Sequence, residues 1–286
     1  MKYLFLLFLF TISLFSSTAF IDSDTLAKKI HNKNLVIIDT TNKQRFQKEH
    51  IINSVQVDIG KFRHQVGKYQ LMNSSKDIQK IARELGINND SEVIIYGHSK
   101  AKELLKSSYI ALALIVNGLS HVSLLDGGFN EFAYDYDNLI TTEIKTPKTG
   151  NFTANYQKNI LVDMYYVKNH IGKTPMIEAR PLKYFNGSTQ SKGVKRLGHI
   201  TQAKSSYWHD KFNSDETLKS DSFIKKIFIQ KNALDKNKEV ITYCTGGLEA
   251  SMNWYILTQH LHFKDVKIYD ASMREWGNID STPMEK

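Results

Sequence analysis

The chain has 286 residues, enough for two domains of ordinary size, and its hydrophobic and charged fractions of 41% and 23% are typical of a globular protein. Its 38 lysines and arginines outnumber 29 acidic residues, which gives a formal net charge of +9 at pH 7. The lysines are scattered, and the chain carries no zinc knuckle, RNA-binding aromatic motif or basic helix. The charge therefore indicates a basic surface that attracts small anions, and nucleic acid is not expected as a partner.

The first 19 residues predict a secretory signal peptide. Lys2 supplies a short positive region, an apolar run follows over residues 3–15, and Ser17 and Ala19 provide small residues at the −3 and −1 positions of a cleavage site. The apolar run is shorter than the ~20 residues that a spanning helix needs, which favours cleavage after Ala19 over an uncleaved anchor. The protein is therefore predicted to be exported, periplasmic or secreted, without stable membrane insertion.

Strands alternate with helices after this segment. Short buried runs of β-branched residues predict strands, and amphipathic stretches that stop at Gly86 and Gly118 predict helices. The predicted strands cover residues 34–39, 55–58, 92–96 and 122–125, and the predicted helices cover residues 24–32, 42–49, 75–85 and 101–117. This alternation is typical of an α/β layer on a mainly parallel sheet.

The same pattern returns after a polar stretch over residues 143–160, which contains Pro147 and Gly150 and is predicted to be a linker. The matched positions are Asp39 and Glu178, the His-Ile pairs at 50–51 and 199–200, Tyr96 and Tyr243, and Asp126 and Asp270. Their nearly constant spacing predicts a duplicated domain. We assign domain 1 to residues 20–142 and domain 2 to residues 161–286.

The only cysteine of the chain, Cys244, lies between a predicted strand over residues 240–243 and a predicted helix over residues 248–260. Gly246 and Gly247 allow the backbone between them to curl around the sulfur. Unpaired N–H groups and the helix dipole at such a junction favour negative charge, so the Cys244 thiol is predicted to have a lowered pKa and to be partly thiolate near neutral pH. This context favours a reactive thiol over a small buried hydrophobe. The matching position in domain 1 is Gly97, which predicts that domain 1 is catalytically silent.

Together these motifs resemble a tandem-domain rhodanese of the thiosulfate and 3-mercaptopyruvate sulfurtransferase family. The resemblance rests on the acid-ended strands at Asp39 and Glu178, the Gly198-His-Ile200 element, the loop from Cys244 to Ala250, the segment from Tyr269 to Gly277, and the closing residues 281–285. It implies an α/β fold of two tandem rhodanese-like domains, each a mainly parallel sheet flanked by helices. It also implies a sulfurtransferase that uses no metal or organic cofactor.

The resemblance further implies a reaction in which Cys244 takes sulfur from a small anionic donor, becomes a persulfide, and passes the sulfur to cyanide or a thiol. Arg180 and Arg196 are expected to bind the donor anion. The residues expected to cradle the persulfide through their backbone are Thr245, Gly246, Gly247, Leu248, Glu249 and Ala250.

The residues after Cys244 leave the donor open. Thiosulfate enzymes of this family usually carry basic residues there, and mercaptopyruvate enzymes usually carry Gly and then Ser or Thr. Thr245-Gly246 matches neither pattern. Glu249, if it points inward, is expected to weaken the binding of a dianion.

Other functions are less well matched. A phosphatase or arsenate reductase of the same fold needs an arginine where Ala250 stands. A papain-type hydrolase needs a histidine aimed at Cys244, and His199 is predicted to be structural. His260 and His262 lack a second ligand pair for a metal. The alternative from another class is a binding or carrier module with a rhodanese fold that receives persulfide sulfur from a partner protein.

Overall fold

Each half of the chain builds a five-stranded parallel sheet in the computed structural model, which describes residues 18–98 and 101–286. The strands that begin at Phe20, Val122, Glu92, Leu35 and Ser54 lie side by side in that order in domain 1, and those that begin at Leu161, Val266, Val240, Met176 and Lys204 do so in domain 2. When the five strands of each sheet are numbered in chain order, both sheets have the order 1-5-4-2-3. The duplication predicted from the matched positions is therefore present in the topology.

Domain 1 begins with a short edge strand. It ends with a two-residue strand that pairs antiparallel with the strand at His50–Ile51. Its strands are β1 (Phe20–Ile21), β2 (Leu35–Asp39), β3 (His50–Ile51), β4 (Ser54–Gln56), β5 (Arg63–Val66), β6 (Tyr69–Met72), β7 (Glu92–Tyr96), β8 (Val122–Leu125) and β9 (Ile140–Thr141). Its helices are α1 (Ser23–Lys29), α2 (Lys43–Lys48), α3 (Ser75–Glu84), α4 (Ala101–Val116) and α5 (Gly128–Asp135).

The elements of domain 2 follow the same plan, with α8 and α9 each extended by a wider π-helical turn. Its strands are β10 (Leu161–Val162), β11 (Met176–Glu178), β12 (His199–Ile200), β13 (Lys204–Ser205), β14 (Val240–Tyr243), β15 (Val266–Tyr269) and β16 (Met284–Glu285). Its helices are α6 (Met164–His170), α7 (Leu182–Phe185), α8 (Asp221–Lys225), α9 (Leu248–Tyr255) and α10 (Ser272–Trp276).

Residues 143–160 contain neither helix nor strand and lie along domain 1. The N–H groups of Gly150 and Phe152 donate to the carbonyl oxygens of Arg83 and Ile87 at 2.9 and 3.1 Å. A Cβ on Gly150 would lie 2.0 Å from the Ile87 oxygen, so only glycine permits this close approach. Phe152 is buried in the main core, and the segment is thus packed against domain 1.

The two domains are joined by the packing of α4 against α9. At their closest approach the hydroxyl oxygens of Ser108 and Ser251 are 2.8 Å apart and both residues are buried. One hydrophobic core runs through this contact and includes Leu112 from α4 and Met252 from α9. The interface is therefore a continuous part of the core, and it fixes the edge of domain 1 beside the start of α9.

Tyr255 at the end of α9 ties domain 2 to the β1–β8 edge of domain 1. Its buried hydroxyl lies 2.7 Å from the carbonyl oxygen of Ala19 and 2.9 Å from that of Val122. Ala19 is itself buried, and its carbonyl accepts the N–H of Leu124 at 2.8 Å. The predicted cleavage after Ala19 would remove the Ala19 carbonyl group and leave the Val122 carbonyl oxygen as the remaining acceptor of the Tyr255 hydroxyl.

The predicted signal peptide otherwise lies outside the described residues. Within the described part of the chain, no helix is both long and apolar enough to cross a bilayer.

Tyr255→Phe should lower the free energy of unfolding by about 1–3 kcal/mol, because it removes the donor that satisfies a buried carbonyl group. Urea unfolding followed by circular dichroism measures this change. Tyr134→Phe is the matched control, since Tyr134 is 89% exposed, and it should change stability by less than about 0.5 kcal/mol. Equal stability of the two variants would contradict this account of the interface.

Candidate active site

Cys244 lies directly after β14, at the start of a tight loop that leads into α9. We call residues 244–250 the Cys244 loop. Gly247 has a φ of 92° and donates its N–H to the Cys244 Sγ at 3.1 Å. A Cβ on Gly247 would lie 2.0 Å from the Oδ1 of Asp270. Glycine is therefore required here both by its backbone conformation and by the carboxylate behind it.

The sulfur is fully buried, and this overturns the predicted acidity of the thiol. Burial, together with the nearby negative charge of Glu249, raises the pKa of Cys244 to about 12. The N–H groups of Ala250, Gly246 and Gly247 act in the opposite direction and favour the thiolate. The predicted N–H cradle is thus present, but it does not outweigh the loss of water around the sulfur.

Ser272 supports the loop from the neighbouring strand end. Its hydroxyl accepts the Cys244 N–H at 3.0 Å, donates to the Tyr269 carbonyl at 2.6 Å, and lies 4.0 Å from the Cys244 Sγ. Ser272 has a φ of 53°, a conformation that is rare for residues other than glycine. The matching residue of domain 1 is Gly128, with a φ of 62°. A serine in this strained position is explained by the hydroxyl contact with Cys244.

Asp270 connects the Cys244 loop to domain 1. Its Oδ2 accepts the Met72 N–H and the Tyr109 hydroxyl, both at 2.8 Å. Arg63 lies 3.9 Å from its Oδ1, stacks over the Tyr109 ring at 4.7 Å, and donates to the Gly246 carbonyl oxygen at 2.6 Å. Domain 1, which has no cysteine, therefore supplies side chains that hold the loop of domain 2.

A cleft of about 370 Å³ opens above the sulfur at the domain interface. Its lining residues are Ile59, Arg63, Lys102, Leu105, Lys106, Cys244, Thr245, Gly246, Leu248, Glu249 and Arg274. Four of these are cations and one is an acid, so the cleft favours an anion. Arg274 packs against the loop, because a Cβ on Gly246 would be 3.3 Å from its Cδ.

The structure does not bring Arg180 to the cleft. Arg180 is 1% exposed, forms an ion pair with Glu178 and donates to the Gly198 carbonyl oxygen at 2.8 Å. Burial raises the pKa of the Glu249 carboxyl group, and the charge of Arg180 opposes part of that rise. Arg180 therefore forms a structural ion pair with Glu178 instead of the predicted contact with the sulfur donor.

Arg196 is also placed away from the cleft. Its guanidinium group donates to the carbonyl oxygens of Thr282 and Trp276 at 2.8 and 2.9 Å, and to the Thr282 hydroxyl. These bonds hold the C-terminal segment against domain 2. Arg196 therefore holds the C-terminal segment in place and does not line the cleft above the sulfur.

The loop residues predicted from the sequence do surround the sulfur. Those that line the cleft are Thr245, Gly246, Leu248 and Glu249, and those that lie behind it are Gly247 and Ala250. Glu249 points inward, where its carboxylate accepts the Thr245 N–H at 3.4 Å. The sequence alone left open whether Glu249 points inward, and the structure shows that it does.

The four cationic residues of the cleft were not predicted from the sequence, namely Arg63, Lys102, Lys106 and Arg274. A signal existed for three of them. Lys102 and Lys106 are four residues apart on α4 and share one helix face. Arg274 lies inside the segment from Tyr269 to Gly277 that was already singled out. Arg63 begins the β5–β6 hairpin, which was not predicted.

The corresponding position in domain 1 is closed. A Cβ on Gly97 would lie 2.7 Å from the Cβ of Glu103 and 3.0 Å from the Thr40 hydroxyl oxygen. No side chain fits there without a backbone shift. The same fold therefore leaves space for a sulfur atom in one domain only.

His199 and His260, which were considered earlier, have structural partners. His199 stacks on Phe185 at 3.7 Å and bonds its carbonyl oxygen, consistent with its predicted fastening role. His260 lies 2.7 Å from Asp221. Among the described residues, no group of three or more histidine, cysteine or acidic side chains is arranged to hold a metal ion.

Titration should show that Cys244 stays a thiol across the physiological range. Its thiolate absorbance near 240 nm, taken as the difference between wild type and Cys244→Ser, should not rise between pH 6 and 9, because the raised pKa of about 12 keeps the proton bound. The variant removes the only cysteine and cancels the tyrosine signal. A midpoint below pH 8 would instead support the acidity predicted from the sequence.

Comparison with known proteins gives a consistent result. A model of the rhodanese-like domain matches residues 22–135 and 163–279. A protein of Mycolicibacterium smegmatis, provisionally named a thiosulfate sulfurtransferase, is 30% identical over 217 residues, which cover 74% of this chain and 77% of that protein. The sulfur carrier protein TtuD of Thermus thermophilus is 27% identical over 225 residues, with the same two coverages of 74% and 77%.

Among solved structures, the chain is similar to SseA of Escherichia coli, a 3-mercaptopyruvate sulfurtransferase. The TM-score is 0.76 at 24% identity, with 90% of this chain and 99% of that chain covered. This similarity shows the fold. The family and the fold class predicted from the motifs are thereby confirmed, and the chain belongs to the rhodanese family of sulfurtransferases, as two tandem rhodanese-like α/β domains.

Proposed function

We propose that this protein transfers sulfane sulfur from a small anionic donor to a thiophilic acceptor through a persulfide on Cys244. The observation that supports this most directly is the position of the only thiol. It lies at the floor of a cleft of about 370 Å³, with backbone N–H groups around its sulfur and four cationic side chains on the walls. N–H groups at a loop and helix start stabilise an anionic outer sulfur in the same way that they stabilise other anions.

With thiosulfate, the Cys244 sulfur attacks the outer sulfur of the donor. The sulfur–sulfur bond of thiosulfate breaks, and sulfite leaves with the electron pair. Cyanide then attacks the outer sulfur of the persulfide, takes it as thiocyanate and leaves the electron pair on the Cys244 sulfur. With 3-mercaptopyruvate, the carbon–sulfur bond breaks instead, and the carbon that keeps the electron pair takes a proton to give pyruvate.

We place the donor's anionic end beside Lys102, Lys106 and Arg274. The three side chains line the cleft, and no hydrogen bond or ion pair occupies their charged groups among the described residues. Arg63 is less available, because its guanidinium group already donates to Gly246 and Gln70. A sulfonate or a carboxylate would satisfy these cations equally, so both donors stay within the proposal.

A protein-fed carrier is the second candidate. The similarity to the sulfur carrier protein TtuD supports it, and so does the complete burial of a thiol with a raised pKa, which slows reaction with free donors. In this alternative the Cys244 persulfide is stable, and turnover with small donors is low.

We also propose that the protein is exported, with no organic cofactor or metal. The support for export is the N-terminal sequence, where a short basic region, an apolar run and small residues follow one another.

Intact mass spectrometry should show a gain of one sulfur atom on wild type after incubation with thiosulfate or with 3-mercaptopyruvate. Cys244→Ser should gain nothing, because no other thiol is present. Cyanide should remove the added sulfur and yield thiocyanate. No gain with either donor would reject the small-molecule reaction, and a stable persulfide supplied only by a partner protein would establish the carrier.

Arg274→Gln and Lys106→Gln should each raise the KM for the loading donor about 10-fold to 100-fold, because each removes a charge-assisted bond to the anion. Steady-state kinetics at fixed ionic strength measure the effect. Lys168→Gln removes the same charge at an exposed site outside the cleft and should leave KM unchanged. An unchanged KM in both cleft variants would place the anion elsewhere.

A further inference from the structure

We propose that Glu249 is a catalytic residue that accepts the Cys244 proton when the donor reacts and returns it when the persulfide is consumed. This rests on the proposed function and assigns the proton transfer that the reaction requires. The sulfur must lose a proton to attack, and the cleft must offer a group that takes it.

Glu249 is in position to be that group. It lies in the first turn of α9, and its side chain folds back over the Cys244 loop, where the carboxylate accepts the Thr245 N–H at 3.4 Å. Thr245 directly follows Cys244, so this bond holds the carboxylate beside the sulfur, and both side chains line the same cleft. The group that gives the proton and the group that accepts it are thus already close together before a substrate binds.

No other cleft residue in the described part of the chain has the chemistry of a base at neutral pH. Four of the lining side chains are lysine or arginine and already carry a proton. Thr245 is too weakly basic, and the remaining lining residues are apolar or glycine. The lining contains no histidine. Glu249 is therefore the acceptor that the cleft itself supplies.

The proton and charge balance with thiosulfate is simple. The Cys244 thiol gives its proton to the Glu249 carboxylate, and its sulfur forms a bond to the outer sulfur of thiosulfate as sulfite leaves. The products are a persulfide anion and a neutral carboxylic acid, which can donate a hydrogen bond to the outer sulfur. When cyanide removes that sulfur, the electron pair returns to the Cys244 sulfur, which takes the proton back from Glu249.

The charged groups around Glu249 are consistent with this role. Burial raises the pKa of Glu249, while the Thr245 N–H, the thiol and the charge of Arg180 lower it, and Glu178 raises it. Burial and the negative charge of Glu249 raise the pKa of Tyr207, and the cleft adds the cations Arg63, Lys102, Lys106 and Arg274. A raised pKa makes a carboxylate a stronger base for the thiol, and positive charge nearby favours its ionised form.

A single-turnover experiment tests the proposal. Persulfide formation by wild type with thiosulfate is measured between pH 5 and 10 by rapid quench and mass spectrometry. The rate should rise with pH as Glu249 ionises and then stay level. In Glu249→Gln the rate at pH 7 should fall by about 10²-fold to 10⁴-fold and should rise about tenfold per pH unit, because the reactive thiolate must then form without a base.

The opposite result is equally clear. If Glu249 only opposes the donor anion, Glu249→Gln removes a negative charge, makes the thiol more acidic and loads sulfur faster than wild type. Faster or unchanged loading at pH 7 would therefore overturn the proposal. Glu249→Asp, which keeps a carboxylate, should recover part of the rate and the level pH profile.

Two controls separate this inference from the proposed function. Glu84→Gln removes an exposed carboxylate outside the cleft and should behave as wild type. Loading of Glu249→Gln at high pH would show that the persulfide chemistry stands when the base is missing. Failure of wild type itself to load any sulfur would reject the proposed function and not the assignment of Glu249 alone.

Discussion

The Cys244 loop depends on the close approach of the Gly247 backbone to the Asp270 carboxylate. This contact leaves no space for a side chain at Gly247 and forces the left-handed turn that directs the Gly247 N–H at the sulfur. Asp270 is buried, and an unpaired carboxylate there would be costly. The Tyr109 hydroxyl and the Met72 N–H come from domain 1 to bond its Oδ2, and Arg63 of the same domain forms an ion pair with its Oδ1 at 3.9 Å. The shape of the loop in one domain is therefore fixed by polar groups of the other.

The duplication explains how one domain can serve as a support. Both halves keep the same sheet order, and both carry an aspartate directly after the matched strands β8 and β15. They differ at the positions that touch the sulfur. Cys244 and Ser272 in domain 2 stand where domain 1 has Gly97 and Gly128. The space beside Gly97 is filled by Glu103 and Thr40, so the silent site is closed by packing and not only by loss of the thiol.

The sequence predicts the fold well because its signals are local. The runs at 92–96 and 122–125 agree with the observed strands β7 and β8, and residues 75–85 contain α3 with a difference of one residue. The β5–β6 hairpin was missed because three of the four residues of β5 are polar and β6, Tyr-Gln-Leu-Met, does not alternate regularly between apolar and polar residues. Its one signal was the two-residue turn that begins at Gly67, with a φ of 53° between paired Val66 and Tyr69.

The candidate site was only partly predictable for a different reason. The position of Cys244 and its N–H cradle follow from a strand, two glycines and a helix that are adjacent in the chain. Which arginines face the sulfur depends on contacts between distant segments. Arg180 lies two residues after an acidic strand end and pairs with Glu178, whereas Arg63 is brought to the loop from far along the chain. The direction of the Cys244 pKa shift was also predicted wrongly, because the sequence indicates the start of the helix but not how deeply the sulfur is buried.

The burial of the Cys244 thiol means that the reaction at this site requires a base beside the sulfur. A buried thiol keeps its proton, and this protects an unpaired sulfur from unwanted oxidation, since oxidation proceeds through the thiolate. The same burial prevents attack on a donor unless the proton has somewhere to go. A carboxylate beside the thiol, as we propose for Glu249, meets this need, because it accepts the proton during the reaction and returns it afterwards. The four cations of the cleft then offset the negative charge that Glu249 adds, so an anion can still enter.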